Sequence, residues 1–144
     1  MRRDIEFKTE DGVTLRGWFY QGKGTKGPSP TVVMAHGFSA VKEMYLDDFA
    51  EFFAEEGISS LVYDHRNCGA SDGGPRGHLD PREQIDGYRD AITHAQTMNE
   101  VDPDRIGESV WLFGAQANRP FGTAAEYCVV PQAYASVLPN HESF

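Results

Sequence analysis

Two cysteines in 144 residues, Cys68 and Cys128, are too few and too far apart for a disulfide framework or a zinc knuckle. Both are read as reduced thiols, as in a cytoplasmic protein. No stretch is apolar over the ~20 residues that a membrane helix needs, and Met1-Arg2-Arg3-Asp4-Ile5-Glu6 turns polar at once. Neither a membrane span nor a signal peptide is therefore expected. Basic charge is also scarce: 13 Lys and Arg stand against 22 Asp and Glu, a net charge of −9. A field of that sign repels phosphate backbones and anionic lipid, so no nucleic acid and no membrane surface is expected as a partner. What is present is 40% hydrophobic and 12% aromatic residues, the make-up of one ordinary globular core.

The hydrophobic pattern lays out strands and helices in turn. Asp4–Thr9 and Val13–Tyr20 are β-rich runs joined at Glu10-Asp11-Gly12, and Asp-Gly between such runs predicts a hairpin. Gln21–Pro30, with three glycines, two prolines and two lysines, is a loop. Its Gly22-Lys23-Gly24-Thr25-Lys26-Gly27 looks like a phosphate loop, but the Walker spacing fails and no strand is expected to lead into it. Thr31-Val32-Val33-Met34-Ala35 is continuously apolar, as expected of a strand buried on both faces. Leu46, Phe49, Ala50, Phe53 and Ala54 fall at helical spacing, which predicts a helix from about Glu43 to Glu56, closed by Gly57.

Ile58–Tyr63 reads as a second buried strand. Asp80-Pro81-Arg82-Glu83 then carries a capping residue, a proline suited to the first helical position and a glutamate placed for a capping box. The helix it opens runs to about Asn99, with Ile85, Tyr88, Ile92 and Ala95 as its apolar stripe and a partly buried His94 beside it. This order predicts an α/β fold with a mostly parallel sheet and an N-terminal β-hairpin. His65 and Cys68 alone make no metal site, so no metal is expected.

Composition shifts after Ile106. Only four charged side chains lie beyond it (Glu108, Arg119, Glu126, Glu142), while Trp111, Phe113, Phe121, Tyr127, Tyr134 and Phe144 crowd the same stretch. Val110–Phe113 and Thr123–Val130 read as strands. The expected division is residues 1–106 as one partial α/β domain and 107–144 as a β-rich tail.

Three motifs resemble the α/β-hydrolase superfamily, nearest to its dienelactone-hydrolase-like and fungal polyketide-transferase-like branch. They are Asp11-Gly12-Val13-Thr14-Leu15-Arg16-Gly17 in the hairpin, His36-Gly37-Phe38-Ser39 after the first buried strand, and Asp64-His65-Arg66-Asn67-Cys68-Gly69-Ala70-Ser71-Asp72-Gly73 after the second. The resemblance covers roughly residues 3–106. It implies a truncated α/β-hydrolase-like sheet and attack on an ester, lactone or thioester carbonyl, or acyl transfer. It also makes the backbone N–H of Phe38 the candidate oxyanion-hole donor, with His36, Gly37, Asp64, Arg66, Gly69 and Ser71 as the residues that carry the loop motifs. Arg66 and Asp72 are expected to tie the second loop together.

That family places a nucleophilic serine on a Gly-x-Ser-x-Gly turn between a strand and a helix, followed by an acid and a histidine. The one Gly-x-Ser-x-Gly spacing here, Gly69-Ala70-Ser71-Asp72-Gly73, falls in the second loop motif, where Ser71 is read as a loop serine and not a nucleophile, and no later acid and histidine are expected within these residues. Two readings of the nucleophile position stay open. Val110–Phe113 stands in for the strand and Gln116 takes the position, or Ser109 takes it within Gly107-Glu108-Ser109-Val110-Trp111. An amide nitrogen forms no acyl-enzyme, and Ser109 lacks an evident general base.

The tail has a resemblance of its own. Glu108–Gln116 followed by Pro120-Phe121-Gly122-Thr123-Ala124-Ala125-Glu126-Tyr127 looks like part of the GroES-like domain of medium-chain, quinone-reductase-type dehydrogenases, over about residues 107–140. The nucleotide-binding half of that family is absent, so NADPH is not expected and no cofactor is assigned. A chimera joined at Ile106-Gly107 follows as an expectation. The function expected is hydrolase ancestry without catalytic competence alone. The alternatives are a binding or assembly module that forms a homo-oligomer or pairs with a full-length relative through an exposed sheet edge, and an oxidoreductase fragment. The residues identify no small-molecule substrate.

Overall fold

Asp11-Gly12 makes the turn its composition predicts. Gly12 takes a left-handed backbone (φ 89°), open to glycine without steric cost. Strand β1 (Arg2–Lys8) returns antiparallel as β2 (Thr14–Tyr20), with Lys8 opposite Thr14 and Arg2 opposite Tyr20. The structure, a computed structural model, describes residues 2–111 and 124–129, the last four residues of the first span and all of the second as backbone alone.

Among the described residues one sheet of six strands has the order β1-β2-β4-β3-β5-β6. Its centre is parallel: β3 (Ser29–Ala35) lies between β4 (Ser59–Tyr63) and β5 (Val101–Trp111). Its margins are antiparallel, with β2 against β4 and β6 (Ala124–Val129) against β5. Helices α1 (Leu46–Glu55) and α2 (Pro81–Gln96) cover opposite faces. Strand residues alternate between faces, so Val33, Ala35, Leu61 and Tyr63 pack under α2 with Leu15, Phe19 and Tyr88. Val32, Met34 and Val62 pack under α1 with Leu46, Ala50 and Ala54. The apolar runs of β3 and β4 are continuous because both faces are covered.

Local chemistry sets the element ends. Helix α1 starts at Leu46 rather than Glu43, because residues 41–44 close a turn (Met44 N–H to Val41 C=O, 3.0 Å) and Tyr45 is left-handed. Gly57, also left-handed, follows its last turn. Asp80 caps α2 by accepting the Arg82 N–H at 2.7 Å. Glu83, expected to complete a capping box, accepts from Arg66 and Asn67.

Strand β5 begins well before the expected Val110. Val101 pairs with Ser29 and Ile106 with Thr31, so residues 102–105 bulge out of register. Asp102 holds the bulge by accepting from the Asp104 N–H and from Arg105. The expected division near Ile106-Gly107 falls within this strand. Residues 112 and 113 of the expected Val110–Phe113 run lie outside the described residues. The Gly22–Gly27 loop does have a strand leading into it, since β2 ends at Tyr20, and its six residues carry the Gly-x-Gly-x-x-Gly spacing. It runs on into β3 and not into a helix, so it lacks the helix N-terminus that a dinucleotide loop needs. Among the described residues no helix is long and apolar enough to cross a membrane.

Candidate active site

Strands β3, β4 and β5 are parallel, so their carboxyl ends meet at one rim. There Ala35 stands opposite both Tyr63 and Val110. In open α/β sheets ligands bind outside this rim. Two loops rise from it, residues 36–45 after β3 and 64–80 after β4. The oxyanion-hole candidate Phe38 and the motif residues His36, Gly37, Asp64, Arg66, Gly69 and Ser71 lie on these two loops.

His36 anchors the first loop. Its Nε2 accepts the His65 backbone N–H at 3.1 Å, which places the ring proton on Nδ1, 3.0 Å from the Gly37 carbonyl. Burial lowers its pKa, so the imidazole is neutral and both nitrogens serve structure. His36 is thus a fastener of the loop and not a general base. His65, buried edge-on among His36, Tyr63 and Tyr88, is pushed down to about 3 by burial and then by its neighbour His36.

Gly37 and Ala40 close a β-turn (Ala40 N–H to Gly37 C=O, 3.2 Å) with Phe38 and Ser39 at its corner. The third position is left-handed Ser39, where glycine is the usual occupant. Corner N–H groups of such a turn point outward, and among the described residues the Phe38 N–H donates to no protein acceptor. The Phe38 side chain is 59% exposed.

Asp64 is the hub between the loops. Fully buried, its carboxylate accepts the Lys42 backbone N–H (2.8 Å), the Lys42 ammonium (2.7 Å) and the Ala70 N–H (2.8 Å). His36 Nε2 lies 3.6 Å away. Lys42 is itself buried, with its ammonium also on Glu43 and over the Trp18 ring. Burial opposes its charge, but the bonds to Asp64 and Glu43 outweigh that and raise its pKa. Gly69 is required beside this carboxylate: a Cβ there would sit 2.2 Å from an Asp64 oxygen. Ser71 donates to the Asp64 carbonyl (2.6 Å) and accepts the Arg16 N–H (2.9 Å), which makes it a backbone brace.

Arg66 turns away from the rim to Asp11 and Glu83, and holds Asp11 down to about 2. Asp72 forms a two-toothed pair with Arg16. Arg66 and Asp72, expected to tie the second loop together, instead tie it through their side chains to the hairpin and to α2. His94 stacks on Phe7 away from this rim (5.1 Å), and burial lowers its pKa. Cys68 is buried, which raises its thiol pKa. Among the described residues no group of three or more His, Cys, Asp or Glu is placed to hold a metal.

Ser109 lies inside β5, its backbone paired with Met34 on one side and Cys128 on the other. It is therefore not on a strand-to-helix turn. Gln116 lies outside the described residues. Lys42 was missed by sequence reasoning, and only its flanking apolar residues Ala40 and Val41 hint that it is buried.

A rim of parallel strands with a His-Gly turn beside the end of the next strand is the architecture of an α/β-hydrolase, and similarity to known proteins agrees. The family profile described as serine aminopeptidase, S33 matches residues 26–115, and the chain belongs to the α/β-hydrolase family. It is 46% identical over 84% of its length to a thiohydrolase, aneE, of Aspergillus aculeatus, covering 36% of that protein. It is 42% identical over 98% of its length to an acyltransferase, drtE, of Aspergillus calidoustus, covering 43% of it. Among solved structures, the α/β hydrolase GrgF from Penicillium sp. sh18 superposes with a TM-score of 0.74 and 39% identity over 79% of this chain and 38% of that one. The chain thus spans about two fifths of the length of the relatives it matches.

Proposed function

We propose that the chain carries the carbonyl-binding half of an ester-, lactone- or thioester-directed α/β-hydrolase and is not catalytically competent alone. The observation that carries this reading is the Phe38 N–H, unbonded among the described residues at the tip of a turn pinned by His36 and Lys42. It lies beside the carboxyl end of β5, the place of the nucleophile strand in the family. A fixed N–H at such a rim stabilises negative charge developing on a carbonyl oxygen. Relatives named thiohydrolase, acyltransferase and polyketide transferase favour an acyl thioester or ester as the ligand class. The one Gly-x-Ser-x-Gly serine, Ser71, is buried with its hydroxyl bonded to the Asp64 carbonyl and the Arg16 N–H, and Ser109 is paired between two strands, so no acyl-enzyme is expected to form. A fluorophosphonate probe is expected to leave every serine unlabelled, and stoichiometric labelling at Ser109 would overturn that part of the reading.

Assembly through a sheet edge is the second reading. The flank of β3 is filled by β5, so β1 and β6 are the edges among the described residues. Association with a second copy or a longer relative through either would appear as a concentration-dependent mass in sedimentation, and a monomer at every concentration would count against it. The join at Ile106-Gly107 and the dehydrogenase-like tail form the weakest reading. A profile matched from 26 to 115 and a relative aligned over 98% of the chain both carry the hydrolase frame past the join.

A further inference from the structure

We propose that Lys42 is the positioning residue for the Phe38 amide, holding the 36–45 loop to Asp64 through both its backbone N–H and its side-chain ammonium. The inference rests on the reading of Phe38 as a carbonyl-oxygen donor. Two consecutive turns form the loop, Gly37–Ala40 and Val41–Met44. One peptide bond joins them, so fixing Lys42 at the start of the second fixes the exit of the first. Two bonds from one residue to one carboxylate leave that segment little freedom to rotate: 2.8 Å from the backbone to Oδ1 and 2.7 Å from the ammonium to Oδ2.

Both partners are shielded, Lys42 at 4% exposure and Asp64 at 0%, so water does not compete with the pair. The other end of the loop is held by the His65 N–H on His36. Phe38 lies between the two anchors with its side chain exposed. A side-chain charge is an unusual means of fixing a loop, because a buried ion pair contributes little net stability against an apolar replacement. Its effect is geometric: the charge sets where the loop sits more than how stable the domain is.

The test is amide hydrogen exchange by NMR on the whole chain, comparing wild type, Lys42→Met and Lys42→Arg. Met keeps an apolar side chain of similar length and removes the charge. Exchange of the hydrogen-bonded Ala40, Lys42 and Met44 amides is expected to rise at least tenfold more than that of the β2–β4 ladder in Lys42→Met, and Lys42→Arg should restore most of the protection. An equal rise everywhere, or no rise in the loop, overturns the proposal. Should Lys42→Met fail to fold, the wild-type protein still answers. The Lys42 ammonium should give a visible ¹H–¹⁵N correlation at neutral pH, and its absence also overturns the proposal.

A separate titration with S-acetyl-N-acetylcysteamine examines the reading on which the latch depends. The thioester should shift the Phe38 amide resonance in wild type and not in Lys42→Met. No shift in wild type removes the carbonyl-binding role, while the exchange data decide the latch independently.

Discussion

The loop after β4 and the loop after β3 leave the same rim of the sheet on opposite plans. Residues 64–80 fix themselves. Asn67 donates through its backbone to the Asp72 carbonyl and through its side chain to that of His78, Arg76 reaches the Ser71 and Gly69 carbonyls, and Ser71 braces Asp64. Residues 36–45 own few such bonds and expose Phe38, Met44 and Tyr45. Two of their residues, Ser39 and Tyr45, hold left-handed backbones without being glycine. The second loop lends the first its order, through Asp64 on Lys42 and the His65 N–H on His36. One loop is scaffold and the other is presented. Damage to the scaffold loop should therefore reach the presented one, and the reverse should not hold.

The largest effect expected falls at Gly69. Its φ is +47°, and a Cβ would press on the Asp64 carboxylate at 2.2 Å, a group held in place by the Lys42 and Ala70 donors. Gly69→Ala should displace that carboxylate and break a buried ion pair, a loss of about 3–5 kcal/mol. Gly77→Ala is the control, since Gly77 is also left-handed (φ +76°) but has nothing within 4 Å of a built Cβ. It should lose only about 1–2 kcal/mol, the cost of the backbone conformation. Urea unfolding of the two variants measures the difference. Equal losses would mean that the Asp64 hub gives way easily and that the hierarchy between the loops is wrong.

Next in size is an acid sensitivity centred on His65. Its folded-state pKa of about 3 lies below the ordinary 6.5, owing to burial and then to His36. Between these values the unfolded chain binds a proton that the folded chain refuses. This stabilising contribution is complete above pH 6.5 and is lost as pH falls towards 3, by about 2 kcal/mol at pH 5 from this one residue. His65→Phe keeps a ring against Tyr63 and Tyr88 and removes the titration. Unfolding midpoints measured from pH 7 to 4.5 should fall less steeply in the variant. A remaining slope is expected, because burial also lowers His36 and His94.

What was legible in the sequence follows from the range of the interactions. The β1–β2 hairpin, β3, β4 and α2 were readable because an Asp-Gly turn, apolar runs and an Asp-Pro cap act over a few residues. The start of β5 was not, since Val101-Asp102-Pro103-Asp104-Arg105 looks like a turn, and in part it is one: residues 102–105 form a bulge. The start of α1 was missed by three residues because left-handed Tyr45 is set by the Lys42 turn beside it. Of the candidate site, the motif residues came together at the rim with the exception of Arg66. Lys42 stayed hidden because its partner is 22 positions away, beyond any local pattern.

A milder cut at the base of the presented loop comes from Tyr88→Phe. The Tyr88 hydroxyl accepts the Ala35 N–H at 3.0 Å, at the last residue of β3 before His36. Without the hydroxyl that buried donor has no acceptor there, a cost of about 1–2 kcal/mol. The ring still fills its place among Leu61, Tyr63 and Ala91 in the core. Chemical denaturation gives the stability loss. Chemical shifts should change in residues 35–38 and leave 66–78 in place, and movement of the second loop would break the one-way dependence.

The smallest effect expected is at Asp72. Its pair with Arg16 is well formed, at 2.6 and 3.3 Å, and Arg16 lowers the Asp72 pKa. Both side chains are nonetheless open to water, 37% and 54% exposed, where screening and side-chain entropy cancel most of the attraction. The position of the loop there is set by the backbone: the Asp72 N–H donates to the Thr14 carbonyl at 2.8 Å, and its carbonyl accepts from Asn67 at 3.0 Å. The Arg16 N–H on Ser71 adds a third tie that needs no charge. Asp72→Asn should therefore leave the urea midpoint within replicate scatter, at low salt and at high salt alike. A clear loss at low salt that vanishes at high salt would show that a surface charge, and not the buried Asp64–Ser71 frame, holds the scaffold loop against the hairpin.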